Sequence, residues 1–84
     1  MQIVLTESGV AFSAGEVFIS AQAKNETEQT TILKFCNGTS LNDDCVIVDA
    51  QPGESKLTSL GGLPTNNGLY VDIGACSSVT VEFQ

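Results

Sequence analysis

Residues 61–74 read GGLPTNNGLYVDIG, and the second half of this stretch decides the type of secondary structure. Apolar and polar residues alternate from Leu69 to Ile73, which is the period-two pattern of a strand with one apolar face. The Asn-Asn-Gly triplet just before it is typical of a turn, because Asn and Gly adopt the backbone angles that chain reversals need. We expect Gly62 and Gly68 to supply positive φ angles at this corner and Pro64 to stiffen it.

The same pattern of short strands separated by turn residues extends over the whole chain of 84 residues. Strands are predicted near Gln2–Leu5, Val10–Ser13, Glu16–Ala23, Thr31–Cys36, Cys45–Ala50, Ser55–Leu60, Leu69–Ile73 and Ser78–Phe83. No window has the apolar spacing of a helix. The fold class is therefore all-β, as a small antiparallel β-sandwich or a partly open barrel. We expect a single β-domain over residues 13–84, preceded by residues 1–12 as an extended N-terminal arm or an ordinary first strand.

The charge balance excludes several classes of partner. Ten acidic residues and three lysines, without arginine or histidine, give a formal net charge of −7. Binding to nucleic acid or to an anionic membrane requires cationic side chains, so neither partner is expected. Charged residues make up only 15% of the chain. A largely neutral surface favours burial against a protein partner, because desolvating fixed charges is costly.

The three cysteines, Cys36, Cys45 and Cys76, are an odd number and contain no C-x-x-C pair. The N-terminal residues lack the basic start of a secretory signal, so we expect synthesis in the cytoplasm and reduced, buried thiols. A Cys36–Cys45 disulfide across one hairpin is the alternative. The Asn-x-Thr triplets that begin at Asn25 and Asn37 are interpreted as turns rather than glycosylation sites.

Catalytic and metal-binding patterns are weak in this sequence. The lack of histidine excludes Ser-His and Cys-His dyads, so we expect no enzyme and no cofactor. Three cysteines without C-x-x-C spacing do not predict a zinc site. Asn42, Asp43 and Asp44 could bind calcium if their loop folded around the ion, but the D-x-D-x-D-G spacing is missing.

Several segments of the chain together resemble a known kind of protein. They are NGTS at 37–40, QPGES at 51–55, GL at 62–63, NGLYVDI at 67–73 and SVTV at 78–81. Over residues 31–84 this arrangement resembles the small β-sandwich virion proteins of tailed bacteriophages. The resemblance implies a cement or decoration protein on the outer surface of the capsid, with the tail, neck or fibres as an alternative location. It brings no catalytic residues with it.

The implied partner is the major capsid protein, with this chain as a homo-oligomer at a capsid symmetry axis. We expect contacts from apolar residues of the N-terminal segment, from aromatic anchors and from the tip of the 65–67 loop. These residues are Ile3, Val4, Leu5, Phe12, Phe18, Thr65, Asn66, Asn67 and Tyr70. A small carbohydrate-binding β-module is an alternative of another class. Such a module would need an exposed aromatic platform, and the chain has one tyrosine and no tryptophan.

Overall fold

Two antiparallel four-stranded sheets pack face to face in the computed structural model, which describes residues 1–13, 16–59 and 65–84. The strands are β1 (Gln2–Leu5), β2 (Gly9–Phe12), β3 (Phe18–Lys24), β4 (Thr31–Asn37), β5 (Cys45–Ala50), β6 (Ser55–Thr58), β7 (Leu69–Asp72) and β8 (Ser78–Phe83). Sheet A has the order β1-β8-β3-β6, and sheet B has the order β2-β7-β4-β5. The predicted β-sandwich is confirmed.

The core lies between the inner faces of the two sheets and follows the period-two alternation. In β8, Val79 and Val81 are fully buried. Ser78, Thr80 and Glu82 alternate with them and are half-buried on the outer face. The same rule applies to Leu33 and Phe35 in β4 and to Val71 in β7. Each fully buried aliphatic or aromatic side chain of this size stabilises the fold by about 1.5–3 kcal/mol.

Residues 1–12 contribute one strand to each sheet. β1 pairs with β8, with Ile3 opposite Val81, and β2 pairs with β7, with Val10 opposite Tyr70. Ile3 and Leu5 pack against the core from the inner face of β1. In this chain the segment is therefore part of both sheets.

Cys36 and Cys45 form a disulfide, so the expectation of reduced thiols is wrong for this pair and the alternative is confirmed. The physical reason is their register, because they are direct partners in β4 and β5. Asn37 donates its N–H to the Asp44 carbonyl at 3.0 Å, so Asn37 and Asp44 are a hydrogen-bonded pair. Such pairs alternate with non-hydrogen-bonded pairs, whose Cα atoms lie closer together, and Cys36–Cys45 is of this second type. Their Cα atoms are 4.0 Å apart. Cys76 is a free, buried thiol, as expected.

The turn after β3 depends on one buried side chain, that of Asn25, which is 1% exposed. Its Nδ2 donates to the carbonyl oxygens of Gln29, Ala50 and Gln51 at 2.8–3.1 Å. Its Oδ1 accepts from the N–H and the hydroxyl of Thr27. The Asn25 triplet is thus a turn whose amide ties the β3–β4 connection to the end of β5.

Candidate functional site

One end of the sandwich gathers uncharged polar side chains, and we call residues 37–44 and 65–68 the amide-rich end. The two segments meet because β4 and β7 are neighbours, with Asn37 opposite Leu69. The uncharged polar side chains are those of Asn37, Thr39, Ser40, Asn42, Thr65, Asn66 and Asn67. Asp43 and Asp44 are the only charged residues in these two segments.

The side chain of Asn37 joins the two segments of the amide-rich end. Its Oδ1 accepts the N–H of Asn67 at 3.1 Å. Its Nδ2 lies 3.3 Å from Asn66 Oδ1 and from Asp44 Oδ2, so it donates to both. One amide therefore fixes the 65–68 loop against the β4–β5 turn.

Asn42 orders the β4–β5 turn in a similar way. Its Nδ2 donates to the carbonyls of Asn37 and Ser40, both at 3.0 Å, and its Oδ1 accepts the N–H of Asp44 at 2.7 Å. These bonds engage the Asn37 and Ser40 carbonyl oxygens and Asn42 Oδ1, which a calcium ion in this loop would need as ligands. Within residues 1–13, 16–59 and 65–84, no group of three His, Cys, Asp or Glu side chains is placed to hold a metal ion.

Two glycines let the segments approach closely. Gly38 donates its N–H to the Gly68 carbonyl at 3.2 Å. Gly68 has φ of +105°, and a Cβ there would lie 2.9 Å from the Phe12 carbonyl oxygen. The expected positive φ at Gly68 is confirmed. Gly62 and Pro64 lie outside the described residues.

The amide-rich end presents neutral hydrogen-bonding groups around an exposed apolar side chain. Leu41 is 52% exposed there, and Asn66 and Asn67 are also exposed. Because internal hydrogen bonds already order these loops, binding would cost little additional conformational entropy. Thr65, Asn66 and Asn67 are predictable from the sequence as a loop tip; Asn37 and Leu41 are not predicted as contacts, although the Asn-Gly doublet at 37–38 marks a turn.

The other proposed contact residues are dispersed over the molecule. Val4 is 55% exposed on the outer face of sheet A. Phe18 is half-buried, with its ring centroid 6.2 Å from that of Phe35. Tyr70 is half-buried on the outer face of sheet B, in register with Cys36. Thr65 is half-buried and donates its hydroxyl to the Glu16 carbonyl at 3.4 Å.

Phe12 is placed differently from the expectation. It is 6% exposed and packs in the core, with its ring centroid 5.0 Å from that of Phe83. A register shift between Val10 and Phe12 accompanies the burial of both Ala11 and Phe12. Phe12 is therefore a core residue and not a surface anchor.

Comparison with known proteins adds no relative to this picture. No protein-family model, curated protein or solved structure matches the chain. In the part of the chain that the structure describes, there is no helix long and apolar enough to cross a membrane. The likeness to phage virion proteins thus stands on the quoted sequence segments alone.

Proposed function

We propose that this protein is a capsid cement or decoration protein of a tailed bacteriophage, which binds the outer surface of the shell and stabilises contacts between major capsid subunits. The observation that carries the proposal is the meeting of the NGTS and NGLYVD segments at the amide-rich end. In the sequence they lie about one third of the chain apart, with Gly38 and Gly68 as their contact point. Two of the segments that resemble virion proteins thus build one ordered surface.

The proposal places the amide-rich end, with its seven uncharged polar side chains and two aspartates, toward the shell. Four of the ten acids, Glu7, Glu26, Glu28 and Glu54, lie in turns at the opposite end of the sandwich. An uncharged hydrogen-bonding surface loses less hydration on docking than an acidic one. A protein with a net charge of −7 also suits the outside of a shell, away from packaged phosphates. The proposal assigns no catalytic residue and no cofactor.

Quantitative mass spectrometry of purified phage particles tests the proposal. A cement protein should be present at a copy number comparable with that of the major capsid protein. A handful of copies per particle would instead indicate a tail, neck or fibre component. Absence from particles would overturn both, and a glycan array would then test the carbohydrate-binding alternative.

A matched pair of variants tests the docking end. Leu41→Asp places a charge in the amide-rich end, whereas Leu57→Asp places one on the outer face of sheet A, where Leu57 is 69% exposed. Shells that lack the protein should retain Leu57→Asp after sedimentation and should lose Leu41→Asp. Particles without the protein should assemble but resist heat and osmotic shock less well. Equal retention of the two variants would show that another surface contacts the shell.

A further inference from the structure

The outer face of sheet B carries exposed apolar side chains on both sides of a central pair, Lys34 and Asp72, with a third charge, Asp49, on its edge strand. Ile32 and Ile47 are 52% and 61% exposed, and Val10 is 40% exposed. Across the strands, Val10, Tyr70 and the disulfide lie in one row. We call this surface, made of Val10, Ile32, Lys34, Cys45, Ile47, Asp49, Tyr70 and Asp72, the sheet B face. Exposed apolar patches of this kind mark interaction sites.

The two charges at the centre do not satisfy each other within the chain. Lys34 lies directly opposite Asp72 in register on the two middle strands. The Asp72 Oδ1 accepts instead from the Ser8 hydroxyl at 3.2 Å and from the Gly74 N–H at 3.0 Å. Among the described residues, Lys34 has no carboxylate within ion-pair distance. Lys34 is a half-buried residue beside Ile32 and Ile47, with Asp49 diagonally across on β5, and an acidic group of a partner would give its ammonium a direct counter-charge.

We propose that the sheet B face binds a second copy of this chain, in a two-fold dimer whose axis runs parallel to the strands between β4 and β7. Such an axis places β4 of one copy over β7 of the other in the same row. Lys34 then meets the second copy's Asp72, and Asp72 meets its Lys34, so that two charge pairs form by symmetry. In the next row, Tyr70 lies over the second copy's disulfide.

The symmetry has a consequence for the proposed function. This consequence rests on the proposed function, whereas the dimer itself does not. Rotation about an axis parallel to the strands leaves the strand direction unchanged. Both amide-rich ends therefore point the same way. A dimer standing on the shell with its axis upright would use both amide-rich ends at once, and this bivalency raises the overall affinity.

The size of the sheet B face predicts a weak dimer. The four strands have four, four, seven and six residues, and with about 3.3 Å per residue and about 4.8 Å between strands they give a face of roughly 330 Å² per chain. The total for two chains, roughly 660 Å², is smaller than the ~1,200 Å² of standard interfaces and fits only a weak, transient contact. We therefore expect dissociation in the micromolar range or above, which requires measurement at high protein concentration.

Charge reversal tests the dimer by analytical ultracentrifugation. The native chain should approach twice its mass of 8.8 kDa as its concentration rises. Lys34→Asp and Asp72→Lys should each remain monomeric, because like charges then meet, and an equimolar mixture of the two should recover the dimer mass. The matched controls Lys24→Asp, on sheet A, and Glu28→Lys, in the exposed β3–β4 turn, should dimerise like the native chain.

A second measurement needs no variant and covers the case in which Asp72→Lys fails to fold. In a dilution series followed by NMR, concentration-dependent shifts should concentrate on Ile32, Lys34, Ile47 and Tyr70. Val4 and Leu57, on the outer face of sheet A, should not move. A native chain that stays at 8.8 kDa up to about 1 mM, or shifts confined to sheet A, would overturn the dimer while leaving the copy-number test of the proposed function unaffected.

Discussion

Cys36 and Cys45 face each other across β4 and β5 with 4.0 Å between their Cα atoms, and their disulfide joins the middle of sheet B to its edge strand. Cys36 is fully buried, and Cys45 is half-buried. The disulfide closes a loop with a sequence separation of nine residues, which contains the whole β4–β5 turn. It therefore restrains the unfolded chain and holds one segment of the amide-rich end.

Loss of this disulfide should lower the free energy of unfolding by about 2–3 kcal/mol, which is the loop-entropy value for a short closed loop. Urea unfolding of the native chain with and without a thiol reductant measures the effect. A Cys36→Ala/Cys45→Ala variant is the control, since reductant should not change its midpoint. Identical midpoints for the native chain under both conditions would contradict this prediction.

Replacement of Asn25 should be among the most damaging polar substitutions in the chain. Asn25→Ala leaves the carbonyls of Gln29, Ala50 and Gln51 without their shared donor, so we expect a loss of about 2–4 kcal/mol. Asn25→Asp should cost more, because it sets a carboxylate against the same three oxygens. Asn66→Ala, at an exposed position, is the matched control and should change stability by less than about 1 kcal/mol. Equal losses at the two positions would refute the assigned role of Asn25.

Alanine substitutions at Gly74 and Gly53 distinguish the cost of the backbone angle from the cost of a steric clash. Both have positive φ, +57° and +72°, so alanine at either position should cost about 1 kcal/mol for its backbone conformation. A Cβ at Gly53 meets nothing within 4 Å, whereas one at Gly74 would lie 2.5 Å from the Ile32 carbonyl oxygen. Gly74→Ala should therefore cost at least about 2 kcal/mol more than Gly53→Ala. Thermal or urea unfolding of both variants provides the comparison.

Cys76 gives the fold a specific dependence on alkaline pH. Burial raises the pKa of its thiol above the ordinary value of 9.0. Above that value the unfolded chain releases the proton first, so the contribution of Cys76 to stability is complete below pH 9.0 and decreases as pH rises toward the folded pKa. The unfolding free energy of the native chain should fall more steeply between pH 8 and pH 10.5 than that of Cys76→Ala, which shares every other titrating group. Parallel curves would exclude this effect.

Most of the strands could be predicted because alternation is a local property of the sequence. The bounds of β1, β5 and β8 match the prediction, since each has a regular apolar face between turn residues. β3 begins at Phe18 rather than Glu16, and its pairing with β8 shifts register between Phe18 and Ser20. Such a bulge depends on the partner strand, so the alternation within β3 does not reveal it.

The candidate site was predictable only in part, for a related reason. The tip at Thr65, Asn66 and Asn67 follows from local turn chemistry. The hydrogen bonds of Asn37 do not, because they join residues 29 and 30 positions apart and exist only once β4 pairs with β7. The disulfide was foreseen only as an alternative, since the expected cellular compartment favoured thiols and the sequence alone did not fix the β4–β5 register.

The position of the two chain ends matters for anyone who wants to display a cargo on this protein. The Met1 nitrogen donates to the Phe83 carbonyl at 2.9 Å, and Val17 pairs with Gln84 beside the Thr65 loop. A fusion at either end would therefore crowd the surface proposed to dock. A circular permutant could join residue 84 to residue 1 through a short linker and open the exposed Pro52-Gly53 turn. Its new termini would lie at the end opposite the amide-rich end, where an attached domain would project into solvent.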